Sequence, residues 1–138
     1  MNLKDLVGSW SGSRTEIESG VGVTNKTTIN GNIRSDGGVL LIEKGTSPII
    51  GDYTSRDEFH KSGKYKGVSK TSYGLIISSS SGRWKMTKDG IAISGTGGNL
   101  SGTGKFSGLL RMPSKDRFVY SGRSRGTVLV KLTGRRVQ

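Results

Sequence analysis

The chain has 138 residues and a net charge of +12, a length that suits one domain with its own core. It has no Cys and one His, which excludes disulfides, thiolate metal sites, a Cys nucleophile and multi-His metal centres. Ala and Gln occur once each while Gly occurs 23 times, so long helices are excluded as the main scaffold, and no apolar run approaches the ~18 residues of a membrane span.

Taken in chain order, Leu3-Lys4-Asp5-Leu6-Val7 predicts one short apolar helical turn and is too polar for a signal peptide. The chain as given therefore reads as cytoplasmic. From residue 8 onward, period-2 alternation dominates. Val21, Val23, Thr27, Ile29 and Ile33 share one parity, and Ile91/Ile93 and Val128/Val130/Leu132 repeat the pattern. Such spacing puts apolar side chains on one face of a strand. The predicted strands are 8–18, 21–34, 38–46, 49–60, 64–71, 74–80, 83–88, 91–96, 100–111, 117–124 and 127–134. Some neighbours join as one bent strand, giving eight to ten. Ser35-Asp36-Gly37-Gly38 and Lys88-Asp89-Gly90 are strong hairpin signals, because Asp-Gly tolerates the positive φ that tight turns need. Lys61-Ser62-Gly63, Ser72-Tyr73-Gly74 and Ser81-Gly82 are weaker ones, and Pro113-Ser114-Lys115-Asp116 reads as a longer turn. Short connections between successive strands suit an antiparallel meander. Closing it as an up-and-down barrel leaves no sheet edge exposed. A sandwich is the alternative. The expectation is thus an all-β, single-domain barrel over residues 1–138. Ser94-Gly95-Thr96-Gly97 recurs as Ser101-Gly102-Thr103-Gly104, which reads as two bends of a glycine-rich strand region.

The short turn followed by Gly8-Ser9-Trp10 on a first strand resembles the start of lipocalin-like (calycin) barrels, a superfamily that includes small bacterial barrels. The resemblance covers about ten residues by motif and the rest by strand pattern. It implies that Trp10 plugs the closed end and packs under a late-strand Arg, for which Arg111, Arg123 and Arg125 are the candidates. The classical disulfide of that family is impossible here, and its C-terminal helix is missing. His60 carries no mark of the haem ligand used by one branch.

Motifs for chemistry are sparse. Before Gly104-Lys105, Asn99 stands where a P-loop needs Gly, and Leu100 spoils the dinucleotide fingerprint begun at Gly95-Thr96-Gly97. No Gly-x-Ser-x-Gly elbow exists, and a triad would have to recruit His60, which reads as a surface or rim residue. Asp57 and Glu58 are adjacent, so on a strand they face opposite sides and cannot act as a pair. No enzyme, metal or cofactor is expected. Asn25-Lys26-Thr27 and Asn99-Leu100-Ser101 fit glycosylation acceptors but matter only in a eukaryotic secreted setting.

The charge is lopsided. Residues 1–69 hold nine Lys/Arg against eight Asp/Glu, whereas residues 70–138 hold thirteen against two. This points to an anionic partner or to a merely solvated cationic surface. The first reading is a non-enzymatic binding protein that holds a small anionic or amphipathic ligand inside the barrel. Arg111, Tyr120, Arg123, Tyr53, Tyr65 and Trp84 are its candidate contacts. The second is a nucleic-acid-binding or other polyanion-binding module. It would use Arg83, Lys85, Arg117, Arg125, Arg135 and Arg136, with Trp84, Phe106, Phe118 and Tyr120 as stacking platforms. The third is an interaction or assembly protein without a ligand.

Overall fold

The computed structural model describes residues 1–100 and 102–137. A 3-10 turn, Leu3–Leu6, leads into ten antiparallel strands: β1 (Gly8–Glu18), β2 (Val21–Ile33), β3 (Val39–Ser47), β4 (Gly51–Phe59), β5 (Lys64–Thr71), β6 (Ile76–Thr87), β7 (Gly90–Asn99), β8 (Gly102–Ser114), β9 (Arg117–Ser124) and β10 (Val128–Arg136). Each pairs with its neighbour in sequence, and β1 pairs with β10, so the meander closes into a barrel. The sandwich alternative is excluded by that last pairing.

Ten strands replace the eleven predicted segments because Ser81-Gly82 is not a turn. Gly82 sits within β6, opposite Gly95 of β7. A Cβ there would collide with the Ser94 carbonyl oxygen, so the two glycines mark a close approach of neighbouring backbones. The Asp36-Gly37 and Asp89-Gly90 turns do form, with φ of 89° at Gly37 and 137° at Gly90. The Ser-Gly-Thr-Gly repeat falls on the two arms of the β7–β8 hairpin, where only its last glycines, Gly97 and Gly104, stand opposite each other. Ser101, which belongs to its second copy and to the Asn99-Leu100-Ser101 triplet, lies outside the described residues.

The core fills one end of the barrel. Leu3, Leu6, Trp10, Ile29, Val39, Ile91 and Phe118 are buried there. The Trp10 ring meets Phe118 edge-on at 5.0 Å between centroids, and its Nε1 donates to the Leu6 carbonyl at 3.0 Å. The arginine over Trp10 is Arg136, with Cζ 4.1 Å from the ring centroid. Arg111, Arg123 and Arg125 do not take that place. Arg136 Nη1 donates to the Val7 carbonyl at 2.8 Å and Nη2 to the Asp5 carbonyl at 3.0 Å, so it straps the 3-10 turn across the floor. The turn is capped at its other end by Asn2 Oδ1, which accepts from Lys4 N, and by Asp5 Oδ2, which accepts from Asn2 N. No helix of the described residues is long and apolar enough to cross a membrane.

Candidate site inside the barrel

Strand alternation sets which side chains enter the barrel. On β1 the parity of Trp10 continues to Arg14, and on β3 the parity of Val39 and Leu41 continues to Glu43. On β4 Tyr53, Ser55, Asp57 and Phe59 share the inner face. Two charged groups therefore meet inside. The Arg14 guanidinium grips Glu43 by both arms, Nε to Oε2 at 2.8 Å and Nη2 to Oε1 at 2.6 Å. Glu43 is only 2% exposed and also accepts from the Tyr53 hydroxyl at 2.7 Å and the Thr27 hydroxyl at 3.1 Å. Burial would push its pKa up. The bonds and charge of Arg14, with Tyr53 and Thr27, outweigh that and hold it below the ordinary carboxylate range. Tyr53 Oη in turn accepts from Asn25 Nδ2 at 2.9 Å.

Below this pair lies a second carboxyl with a different environment. Asp57 Oδ1 accepts from the Tyr65 hydroxyl at 2.5 Å. Burial pushes the Asp57 pKa up, and the Tyr65 bond and the Arg14 charge only partly offset it. Its other oxygen takes no bond among the described residues. Burial and the nearby Asp57 raise Tyr65 well above the ordinary phenol value and Tyr120 to about 12, so both keep their protons at neutral pH. The Tyr120 hydroxyl makes no hydrogen bond among the described residues.

Glycines make room for these phenols. A Cβ at Gly67 would lie 2.6 Å from Tyr65 Oη and 2.9 Å from Asp57 Oδ1. One at Gly108 or Gly122 would collide with the Tyr120 ring and hydroxyl. The tyrosines thus lie against bare stretches of wall, leaving the middle of the barrel open.

The opening is a cavity of about 210 Å³. Leu41, Phe59, Ile93, Phe106, Leu110 and Leu132 form its apolar lower part, and Asp57, Tyr65 and Tyr120 its polar middle. Ser55, Ser69, Ser78 and Arg14 carry it upward into a mouth of about 640 Å³ at the end away from Trp10. The Ser55 and Ser69 hydroxyls bond each other there at 2.6 Å.

Of the predicted ligand contacts, Tyr53, Tyr65 and Tyr120 face inward. Arg111 and Arg123 have the opposite parity to Leu110 and Tyr120 and are exposed on the outer wall. Arg123 reaches only the cavity's rim, where Nη1 donates to the Gly126 carbonyl at 3.1 Å. Trp84 belongs to the floor: its Nε1 donates to the His60 carbonyl at 2.8 Å and its ring packs on Phe59. The inward arginine is Arg14, which the sequence reading missed together with Glu43 and Asp57. His60 closes a polar hairpin at the floor, with Nε2 3.4 Å from Glu58 Oε1 and Nδ1 3.3 Å from Arg34 Nη2. Glu58 faces outward onto Arg34 at 2.7 Å while Asp57 faces inward, as their adjacency requires.

The outer wall of β6–β10 carries Arg83, Lys85, Arg111, Arg117, Arg123, Lys131 and Arg135, and the only acids of this half, Asp89 and Asp116, sit in the floor turns. Arg117 stands opposite Arg135 across the β9–β10 pair. Arg125 is held in the β9–β10 turn by Glu18 at 3.3 Å, and Arg136 is committed to the floor. The intended stacking platforms are not on this surface. Phe118 is buried, and Trp84, Phe106 and Tyr120 pack against the core.

No protein-family model matches the chain, and no curated protein matches it. Solved structures do. Rv2717c from M. tuberculosis superposes with a TM-score of 0.62 at 15% identity, covering 99% of this chain and 95% of that one. The S-type phycobiliprotein lyase CPES from Guillardia theta gives 0.62 at 11% identity, covering 99% and 90%. A de novo designed fluorescence-activating β-barrel gives 0.54 at 16% identity, covering 99% and 100%. At such identities the likeness is one of fold. The chain is a closed, ten-stranded antiparallel β-barrel and shares the barrel fold with these natural and designed proteins.

Proposed function

We propose that this barrel is a non-enzymatic binding protein of the calycin kind, which holds a small amphipathic molecule in its cavity. The observation that carries the reading is the pairing of an apolar lower cavity with an inward Asp57 oxygen and a Tyr120 hydroxyl that have no partner among the described residues. An apolar or aromatic body fits among Leu41, Ile93, Leu110 and Leu132, and a hydroxyl, amide or amine on it would donate to Asp57 and Tyr120. An anionic head is the poorer fit, because Arg14 is already neutralised by Glu43. Turnover is disfavoured for a related reason. Glu43 and Asp57 have pKa values pushed apart, as an acid–base pair would need, but four donor groups already occupy Glu43.

The test is titration with fluorescent amphiphiles that share one tail and differ in head charge. Neutral and cationic heads should bind more tightly than the anionic one. Asp57→Asn and Tyr120→Phe should each weaken binding about tenfold, the scale of one lost hydrogen bond. No binding by any probe, or a preference for the anionic head that neither substitution changes, would contradict the reading.

A second reading rests on the acid-free strands of the β6–β10 wall. We propose it as a polyanion surface, nucleic acid included, that works through phosphate contacts without base stacking. Binding should then fall steeply with salt and be indifferent to sequence. Arg117→Ser/Arg135→Ser should flatten the salt slope.

A further inference from the structure

The five turns at the mouth differ from those at the floor in the apolar side chains they present, of which Val21, Ile49 and Leu100 also border the opening while Tyr73 and Leu75 stand outside it. Exposed apolar side chains stand at four of them: Val21 beside the β1–β2 turn, Ile49 in the β3–β4 turn, Tyr73 and Leu75 in the β5–β6 turn, and Leu100 in the β7–β8 turn. Ile49, Tyr73 and Leu100 are 74%, 76% and 73% exposed. They sit on separate hairpin tips around the opening. Just below them, Lys44, Lys70, Lys105 and Arg123 point outward, and no carboxylate pairs with these four among the described residues. Of the mouth acids, Glu16 lies 3.4 Å from Arg14, Glu18 lies 3.3 Å from Arg125, and Asp52 accepts from the Thr46 hydroxyl at 2.6 Å.

We propose that the barrel docks mouth-down on an anionic lipid bilayer, with this apolar collar inserted at the headgroup boundary and the cationic tier above it against the lipid phosphates. An apolar tier followed by a basic tier is the order that a membrane interface presents. Long Lys and Arg side chains span the step between the tiers. Isolated tips around an opening suit a fluid surface better than the contiguous packed patch of a protein interface. The net charge of +12 adds long-range attraction to acidic lipid. Docking in this orientation would place the cavity opening on the bilayer, where an amphipathic ligand resides. That purpose rests on the proposed ligand-binding role, whereas the docking itself does not.

The test is sedimentation with vesicles of phosphatidylglycerol and phosphatidylcholine, compared with phosphatidylcholine alone. The wild-type chain should sediment with the acidic vesicles. Ile49→Ser/Leu100→Ser should weaken this by about a hundredfold, taking roughly a factor of ten per aliphatic side chain withdrawn from lipid. Val137→Ser, an exposed apolar residue at the floor end, should change nothing. In Ile49→Trp, the introduced indole should shift its emission to the blue when acidic vesicles are added. Absence of sedimentation would overturn the proposal. So would equal sedimentation of the double variant, which would leave attraction to charge alone. So would a dimer that the double variant abolishes, which would make the collar a self-association surface. Vesicle binding that persists while no amphiphile enters the cavity would instead overturn the ligand reading and leave the docking in place.

Discussion

The floor and the mouth of this barrel are made from the same device, a tight turn between antiparallel strands, yet they are finished with opposite chemistry. At the floor the turns carry Arg34, Asp36, His60, Lys61, Asp89, Lys115 and Asp116, and beneath them Trp10 is packed, bonded and capped by Arg136. At the mouth the turns carry Ile49, Ile50, Tyr73, Leu75 and Leu100, and beneath them the barrel is open. A floor turn over a filled core has nothing to gain from apolar residues, so polar ones keep it in water. A mouth with apolar tips gives up solubility at one end, and that arrangement makes sense where the end meets something apolar. Between the two, the interior changes from hydrocarbon to the Arg14–Glu43 pair, so polarity inside the barrel rises in the direction in which it falls at the turns.

The largest way to break the contrast is at the floor. Trp10→Ala removes the ring between Phe118 and Arg136 and the bond to Leu6. It should cost about 3–5 kcal/mol in denaturant unfolding, enough to threaten the fold. Next is the interior pair. Glu43→Gln leaves the Arg14 guanidinium facing a neutral amide and should cost about 3 kcal/mol, whereas Arg14→Met/Glu43→Leu should recover most of it, because an apolar pair of similar bulk leaves no charge unmatched. A double variant as unstable as the single one would mean that the pair supplies net stability. Smaller again, Gly108→Ala should push the Tyr120 ring off the wall into the cavity, cost about 1–3 kcal/mol and reduce probe binding.

The two inward carboxyls should also differ in pH dependence. The Glu43 pKa is lowered by folding, so its contribution is present above the unfolded carboxylate range and is lost as pH falls through the folded value. The Asp57 pKa is raised, so ionised Asp57 works against folding at neutral pH and that penalty disappears in acid. Asp57→Asn should therefore stabilise the chain at neutral pH, with the gain shrinking as pH falls; melting curves across pH would show it. The smallest effect belongs to the mouth. Ile49→Ser should change unfolding stability by no more than about 0.5 kcal/mol, since the side chain packs on nothing that folding buries.

Much of the barrel was legible because its turns use Asp-Gly and its strands alternate. The merged β6 was not, because Gly82 reads equally as a turn residue and as a close-approach residue, and only the register against Gly95 decides between them. The site was half legible. Tyr53, Tyr65 and Tyr120 are expected contacts on residue type alone, and it is their strand parity that turns them inward. Arginines are most numerous in the second half, but abundance marks the solvated face. A single Arg in phase with Trp10 was the stronger signal, and Arg14 is that residue. Arg136 lies beyond the predicted 127–134 strand, which leaves its face unassigned. Carried two residues further, the face of Val128, Leu132 and Gly134 delivers Arg136 to the floor.

The most direct test of the central claim is native mass spectrometry of gently purified protein, washed at high salt and treated with nuclease, for the wild-type chain and for Gly67→Val, whose side chain would push the Tyr65 hydroxyl and the Asp57 carboxyl into the cavity. The account predicts a discrete extra mass of small-molecule size on the wild-type chain, lost on denaturation and absent from the variant. Bare mass for both, together with no uptake of any offered amphiphile, would contradict it.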